Sequence, residues 1–186
     1  MAVRLVVFGR QGAGKGTQCV RLSEHYGAPH ISTGDMLREA IAEGTDFGRK
    51  AKEYTEAGKL LPDDIMLGLI EDRLNKPDVL EHGFLLDGFP RTVGQAEALA
   101  GLVTIDRAIN IEVPEELVME RMMARNRSDD TPEAITTRLD AYATKTLLAV
   151  AYFDSLGLLT TVDGVGDMDE VTGRLIEAID GVVAAS

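Results

Sequence analysis

The chain has 186 residues, 45% hydrophobic and 27% charged, with a formal net charge of −12 at pH 7. Those values fit an ordinary globular chain with one sizeable core, too acidic for a nucleic-acid partner, which would need a basic footprint, and lacking the long apolar run of a membrane span. The single Cys19 forbids an internal disulfide, and the scattered His25, His30 and His82 argue against a zinc site, so a reducing, cytoplasmic setting is expected.

In chain order, Val3–Phe8 is a short apolar run that goes straight into a glycine-rich turn. It reads as a first strand, since a signal peptide would need a longer apolar region and a cleavage site. A helical pattern follows over 15–26, a short extended piece near 29–31, and three successive helical patterns over 35–43, 47–57 and 63–74. A strand at 84–87, a helix at 93–102, a strand at 107–112 and a helix at 115–124 come next. One long helix over 132–153, a strand at 159–162 and a helix at 169–183 complete the series. Asp130-Thr131-Pro132-Glu133 offers an N-cap with proline at the first turn, and Asp167 with Glu170 has capping-box spacing. Strands alternating with helices predict a single α/β domain over 1–186, a parallel five-stranded sheet with helices on both faces, and ligands beyond the carboxyl ends of the strands. The three helices from Asp35 to Leu74 break that alternation and look like a small flap on the α/β body.

Gly9-Arg10-Gln11-Gly12-Ala13-Gly14-Lys15-Gly16-Thr17 lies between the first strand and the first helix. Backbone N–H groups in such a loop, with the positive end of a helix, wrap phosphate oxygens. Glycine permits the close approach and the unusual dihedrals, and Lys15 is placed to reach the β- and γ-phosphates. The strict P-loop pattern has Ser or Thr directly after Lys, whereas here Gly16 precedes Thr17. No Asn-Lys-x-Asp guanine signature is present, which disfavours a GTPase.

From Gly12-Ala13-Gly14-Lys15-Gly16-Thr17-Gln18 onward the sequence resembles the adenylate kinase family over nearly its whole length, a P-loop kinase fold with a helical AMP-binding flap and a lid. The resemblance implies reversible, Mg²⁺-dependent transfer from ATP to AMP to give two ADP. Ile31-Ser32-Thr33-Gly34-Asp35-Met36-Leu37-Arg38 looks like the AMP-binding segment, with Thr33 against adenine and Arg38 on the AMP phosphate. Gly58-Lys59-Leu60-Leu61-Pro62-Asp63 is similar to the flap segment whose carbonyls help to read adenine, which places the flap at 32–61. In Phe84-Leu85-Leu86-Asp87-Gly88-Phe89-Pro90-Arg91-Thr92, the resemblance gives Gly88, Phe89, Pro90 and Arg91 to AMP, with Gln95 on the adenine edge. Arginine suits these roles because its planar fork matches phosphate oxygens and remains charged. Asp87 is expected to orient Mg²⁺ through water, since Mg²⁺ takes few protein ligands.

A further cluster is Arg121, Arg125, Arg127 and Arg138. Arg121 and Arg125 share a helix face. The resemblance places both against ATP and sets Arg127 and Arg138 across the exchanging phosphates, so Lys15, Arg91, Arg125, Arg127 and Arg138 form the expected catalytic set. It also adds Gly166 to the ATP side. No general base is assigned, because the attacking phosphate is already ionised and positioning plus charge stabilisation supply the catalysis. Only Asn126–Thr131 lie between Arg125 and the helix that opens at Pro132, so the lid is a short loop at 125–132 without a zinc-bearing insertion. ATP, AMP and ADP are the expected partners of a monomer.

Arg10-Gln11, where the family usually carries proline, Asn126, where it carries glycine, and Thr146-Leu147, which lacks the proline common after that Thr, depart from the pattern. Cys19, Met119, Met122 and Met123 read as core, and Tyr142, Tyr152 and Phe153 as an apolar helical face. Two alternatives stay open: a kinase for UMP or CMP, against which Thr33 and Gln95 argue, and a catalytically silent adenine-nucleotide sensor.

Overall fold

The computed structural model describes residues 2–125 and 130–183. Its strands are β1 (Val3–Phe8), β2 (His30–Ser32), β3 (Gly83–Asp87), β4 (Arg107–Glu112) and β5 (Leu159–Asp163). Among the described residues they form one all-parallel sheet in the order β2-β3-β1-β4-β5. The first crossover carries the chain from central β1 to edge strand β2, and a later one returns it across β1 from β3 to β4. Connections therefore diverge at the carboxyl ends of β1 and its neighbours, which opens a crevice there.

Side chains alternate across each strand, and in β1 and β3 nearly all of both sets are buried. Val6, Phe8 and Leu86 belong to one core cluster with Ile70, Leu99 and Phe153. Leu5, Val7 and Leu85 belong to a second, with Cys19, Leu22, Val118 and Ile179. The second face is covered by α1 (Lys15–Tyr26), α7 (Glu115–Arg125) and α10 (Met168–Val183).

The first cluster is completed by α4 (Asp63–Leu74), α6 (Val93–Leu102) and α9 (Leu147–Ser155). Between β2 and α4 lie α2 (Thr33–Glu43) and α3 (Asp46–Glu56), which pack on one another. α4 differs from that pair in burying Met66, Ile70 and Leu74 along one side, so it is a fixture of the α/β body.

Several boundaries differ from expectation for local reasons. α2 begins at Thr33, two residues early, because the Ser32 hydroxyl accepts from the Asp35 N–H at 3.2 Å and caps the helix ahead of Gly34. An unexpected short helix, α5 (Pro77–His82), starts with proline at its first turn and leads into β3. The long helix expected over 132–153 is divided into α8 (Pro132–Ala141), a π-helical turn (Tyr142–Thr146) and α9. In an unbroken α-helix, residues 138, 142 and 146 would drift around the axis by about 40° at each step. The wider turn takes up part of that drift, and all three line the crevice. The capping box before α10 is reciprocal: Asp167 Oδ1 accepts from the Glu170 N–H at 2.9 Å, and Glu170 Oε2 accepts from the Asp167 N–H at 3.2 Å.

Gly83 begins β3 at φ +80°, and a Cβ there would lie 2.1 Å from the Val3 carbonyl oxygen of β1. Gly83→Ala should therefore destabilise by about 2 kcal/mol or more, since left-handed strain alone costs roughly 1–2 kcal/mol. Gly68 is exposed within α4 with nothing near its missing Cβ, so Gly68→Ala should stabilise by about 0.5–1 kcal/mol. Urea unfolding of the two variants beside the parent checks both signs.

Candidate active site

The crevice holds a cleft of about 440 Å³ between the loop after β1, the end of β3, the start of α2 and the π-helical turn. The loop owes its shape to close packing. Gly12 sits at φ +89° with its missing Cβ only 2.6 Å from the Val118 carbonyl oxygen, so any side chain there would push the loop off α7. Gly14, also at positive φ, is the N-cap of α1. Lys15 follows, its ammonium donating to the carbonyl oxygens of Gly9 at 2.8 Å and Arg10 at 3.2 Å.

Gly12, Gly14, Lys15, Gly16 and Thr17 all line the cleft. Ala13 does not: its methyl is packed in the core and its N–H donates to the Arg10 carbonyl at 3.0 Å. Arg38, Leu60, Asp87, Gly88, Phe89, Pro90, Arg91, Arg121 and Arg138 complete the expected residues of this chamber. A second, adjoining chamber brings Thr33, Lys59, Leu61 and Gln95 together with Arg38, Arg91 and Arg138. Gly166 lies in the loop between β5 and α10 and lines neither chamber. Arg125 ends α7. Arg127 and Asn126, and with them most of the expected lid, lie outside the described residues.

The electrostatics centre on Asp87, which ends β3 opposite Val7 of β1 and is 8% exposed. Burial works to raise its carboxyl pKa, but His30, Lys15 and Arg91 together outweigh burial and hold it below the ordinary value. Arg91 shows the converse. Burial disfavours its charge, and repulsion from Arg138 and Arg38 adds to that, with Asp87 opposing both. Its Nε donates to the Gly88 carbonyl at 2.6 Å. Arg38 is paired with Asp35. Arg138, 9% exposed, donates to Asp130 at 2.9 Å and to the Thr55 carbonyl at the end of α3 at 3.0 Å.

Two neighbours of the expected site residues, Asp63 and Thr146, were given no role from the sequence. Asp63, at the start of α4, accepts from Gln95 Nε2 at 2.6 Å and from the Thr92 hydroxyl at 3.1 Å, while Gln95 Oε1 accepts from the Arg91 N–H at 2.7 Å. The Thr146 hydroxyl donates to the Arg91 carbonyl at 3.3 Å. Thr33, 1% exposed, donates to the Asp87 carbonyl at 3.3 Å. Cys19 is buried, which pushes its thiol pKa well up, with Asp87 adding to the rise and Lys15 opposing it. The N-cap of α8 is Thr131, whose hydroxyl accepts from the Ala134 N–H at 3.2 Å, and that leaves Asp130 to pair with Arg138.

A glycine-rich loop opening a helix, five basic side chains and a buried carboxylate in one cleft describe a polyphosphate site. Comparison with known proteins narrows it. A model of the adenylate kinase family matches residues 7–158. An adenylate kinase of Stenotrophomonas maltophilia (strain K279a) is 47% identical over 186 residues, covering 95% of this chain and 99% of its own. That of Nocardia farcinica is 46% identical over 182 residues, and that of Leptospira biflexa 43% over 185, each covering 95% of this chain and 99% of its own. The chain belongs to the adenylate kinase family.

It is accordingly a phosphotransferase of the nucleoside monophosphate kinase class. Among the described residues, no helix is long and apolar enough to cross a membrane.

The depressed carboxyl of Asp87 has a consequence for the nucleotide-free protein. Because its folded pKa is below the unfolded one, its contribution is fully present above the ordinary value of 3.8 and is lost as pH falls through the folded value. Asp87→Asn should therefore lose less stability than the parent between about pH 5 and pH 3. Urea unfolding at a series of pH values measures the two slopes, and parallel curves would contradict this balance of charges.

Proposed function

We propose that the main chamber holds the ATP phosphates on residues 12–17 and that the adjoining chamber holds AMP, under a flap formed by residues 32–61. The observation that carries this reading is the convergence of Lys15, Arg38, Arg91 and Arg138 on one cleft of a chain whose net charge is −12. An ionised phosphate oxygen of AMP attacks the γ-phosphorus of ATP. A new P–O bond forms as the bond to the β-phosphate oxygen breaks, leaving two ADP. No proton moves, so no general base is needed, and the side chains act by placing and neutralising charge. Lys15 exchanges its two loop carbonyls for phosphate oxygens. Arg38 and Arg91 take the AMP phosphate, and Arg138, with Arg127 from the lid, spans the group in transfer. Arg121 and Arg125 hold ATP, with Gly166 beside its base. Thr33, the backbone of 59–61 and 88–90, and Gln95 read adenine.

Asp87 and Thr17 fit a magnesium site. Mg²⁺ is typically held by one or two carboxylates, waters and substrate phosphates. Asp87 remains ionised despite its burial, and Thr17 is exposed on the cleft wall. Bound there with ATP, Mg²⁺ would neutralise phosphate charge. One chain supplies both chambers, so a monomer is sufficient, and the composition suits the cytoplasm.

A coupled assay should give ADP with AMP as acceptor far faster than with UMP, CMP or water, and equal rates with CMP would overturn the adenine assignment. Lys15→Ala should lower turnover by about 10² or more, the scale for losing one preorganised donor to developing charge. Near-normal turnover would remove Lys15 from the phosphates.

Asp63 is a positioning residue for Gln95. Asp63→Ala leaves the Gln95 amide without its partner, and losing a hydrogen bond to a charged group costs about 1.5–3 kcal/mol, roughly 10- to 100-fold. The KM for AMP should rise on that scale while the KM for ATP stays within about twofold. A parallel rise in both would show a general structural effect instead.

A further inference from the structure

Below the phosphate loop, Asp87 is joined by two side chains that the transfer reaction leaves unused, Cys19 and His30. Lys15 and Cys19 are four residues apart on α1, so the thiol sits one turn deeper on the face that bears the ammonium. β2 runs beside β3 with Ser32 opposite Asp87, and His30 shares a strand face with Ser32. Cys19, His30 and Asp87 thus come from three elements, yet their ligand atoms all lie within 4.8 Å of one another.

Two features mark this as more than a chance meeting of core residues. His30 Nε2 is buried without a hydrogen-bond partner, in an interior where such atoms are normally paired. It stands 3.6 Å from Asp87 Oδ2, beyond hydrogen-bonding length. A tetrahedral zinc ion with bonds of about 2.0–2.3 Å sets its donors about 3.4–3.6 Å apart, so that gap suits two donors to one metal.

We propose that Cys19, His30 and Asp87 bind a thiophilic divalent cation of the Zn²⁺ type, and that its binding shuts off phosphoryl transfer by engaging the Asp87 carboxylate. The second half rests on the assignment of Asp87 to the nucleotide-bound Mg²⁺. Thiolate, imidazole and carboxylate form a donor set that selects Zn²⁺ over Mg²⁺, which prefers oxygen. The two negative donors balance the dication. As the sulfur–metal bond forms, the thiol proton leaves to solvent, and no electrons are exchanged. The nearby Lys15 ammonium opposes the incoming charge, so release of Lys15 toward bound phosphates favours the metal. Sequence spacing gave no hint of the group, because residues 19, 30 and 87 meet only through the order of the strands.

Co²⁺ is the probe for nucleotide-free, full-length protein. The acidic surface attracts cations without selectivity, so the decisive signal is the thiolate-to-cobalt charge-transfer band, which reports the single cysteine. The parent should develop that band at one equivalent and lose it when Zn²⁺ displaces Co²⁺. Cys19→Ser should show no band, and His30→Gln should require about tenfold more Co²⁺ or beyond. No band in the parent, or an unchanged titration in His30→Gln, would overturn the site. In a parallel assay with buffered free Zn²⁺, the parent should lose activity while Cys19→Ser keeps it. Equal inhibition of both would overturn the regulatory claim. A cobalt band without Zn²⁺ inhibition would preserve the site and overturn the regulatory claim along with the Mg²⁺ role of Asp87 on which it rests.

Discussion

The organisation of this molecule depends on keeping several positive charges together in a partly buried cleft before any anion arrives. Arg91 bears the cost most directly, since both burial and repulsion from Arg138 and Arg38 act against its charge. Carboxylates relieve the strain one by one: Asp35 holds Arg38, Asp130 holds Arg138, and Asp87 faces Lys15 and Arg91. Lys15, which follows an αL glycine at the N-cap of α1, is held by two carbonyls of its own loop. Each cation is thereby stabilised in a position from which a polyphosphate can draw it. A chain with a net charge of −12 has carboxylates to spare for this purpose.

The sheet makes this concentration possible. Placing β1 between β3 and β4 brings the phosphate loop and Asp87 to adjacent strand ends, with Val7 opposite Asp87. Two dry cores, one on each face, fix those ends. α4 extends the first core, and its Asp63 orients Gln95 from the body side. α3 reaches the site by its Thr55 carbonyl, which accepts from Arg138. Polar contacts on Arg138 therefore join α3 to α8, and such contacts are more readily exchanged for an anion than buried apolar ones.

Much of this was legible in the sequence because the signals are local. The strand-loop-helix at 3–26 has its periodicity, its glycines and Lys15 in one stretch, and α10 announces itself through Asp167 and Glu170. The motif arginines at 38, 91, 121 and 138 all line the cleft, Arg91 from the loop after β3 and the others from within α2, α7 and α8. What was not legible depends on pairing between distant elements. The link from Asp63 to Gln95 crosses 32 residues, and the link from Arg138 to Thr55 crosses 83. His30 meets Asp87 only because β2 pairs with β3. The π-helical turn was hidden for another reason, since its period differs from that of an α-helix by less than the apolar pattern of 132–153 can resolve.

That turn also gives meaning to the most conspicuous departure from the family pattern. Arg10 occupies the phosphate loop but turns away from the cleft, toward the Val113 carbonyl at 3.4 Å and Glu115 at 4.0 Å. Its guanidinium lies 5.6 Å from the centre of the Tyr142 ring, within range of a cation–π attraction. Tyr142 opens the π-helical turn and donates its hydroxyl to Asn110 of β4 at 3.1 Å, and Thr146 closes the turn on the Arg91 carbonyl. Gln11, by contrast, lines both chambers. A proline would restrict the loop through its own ring. Here the loop is instead held from outside, by an arginine anchored on the segment that carries Arg138 and touches Arg91. One aromatic ring therefore lies between the loop after β1 and the turn whose Thr146 bonds the Arg91 carbonyl.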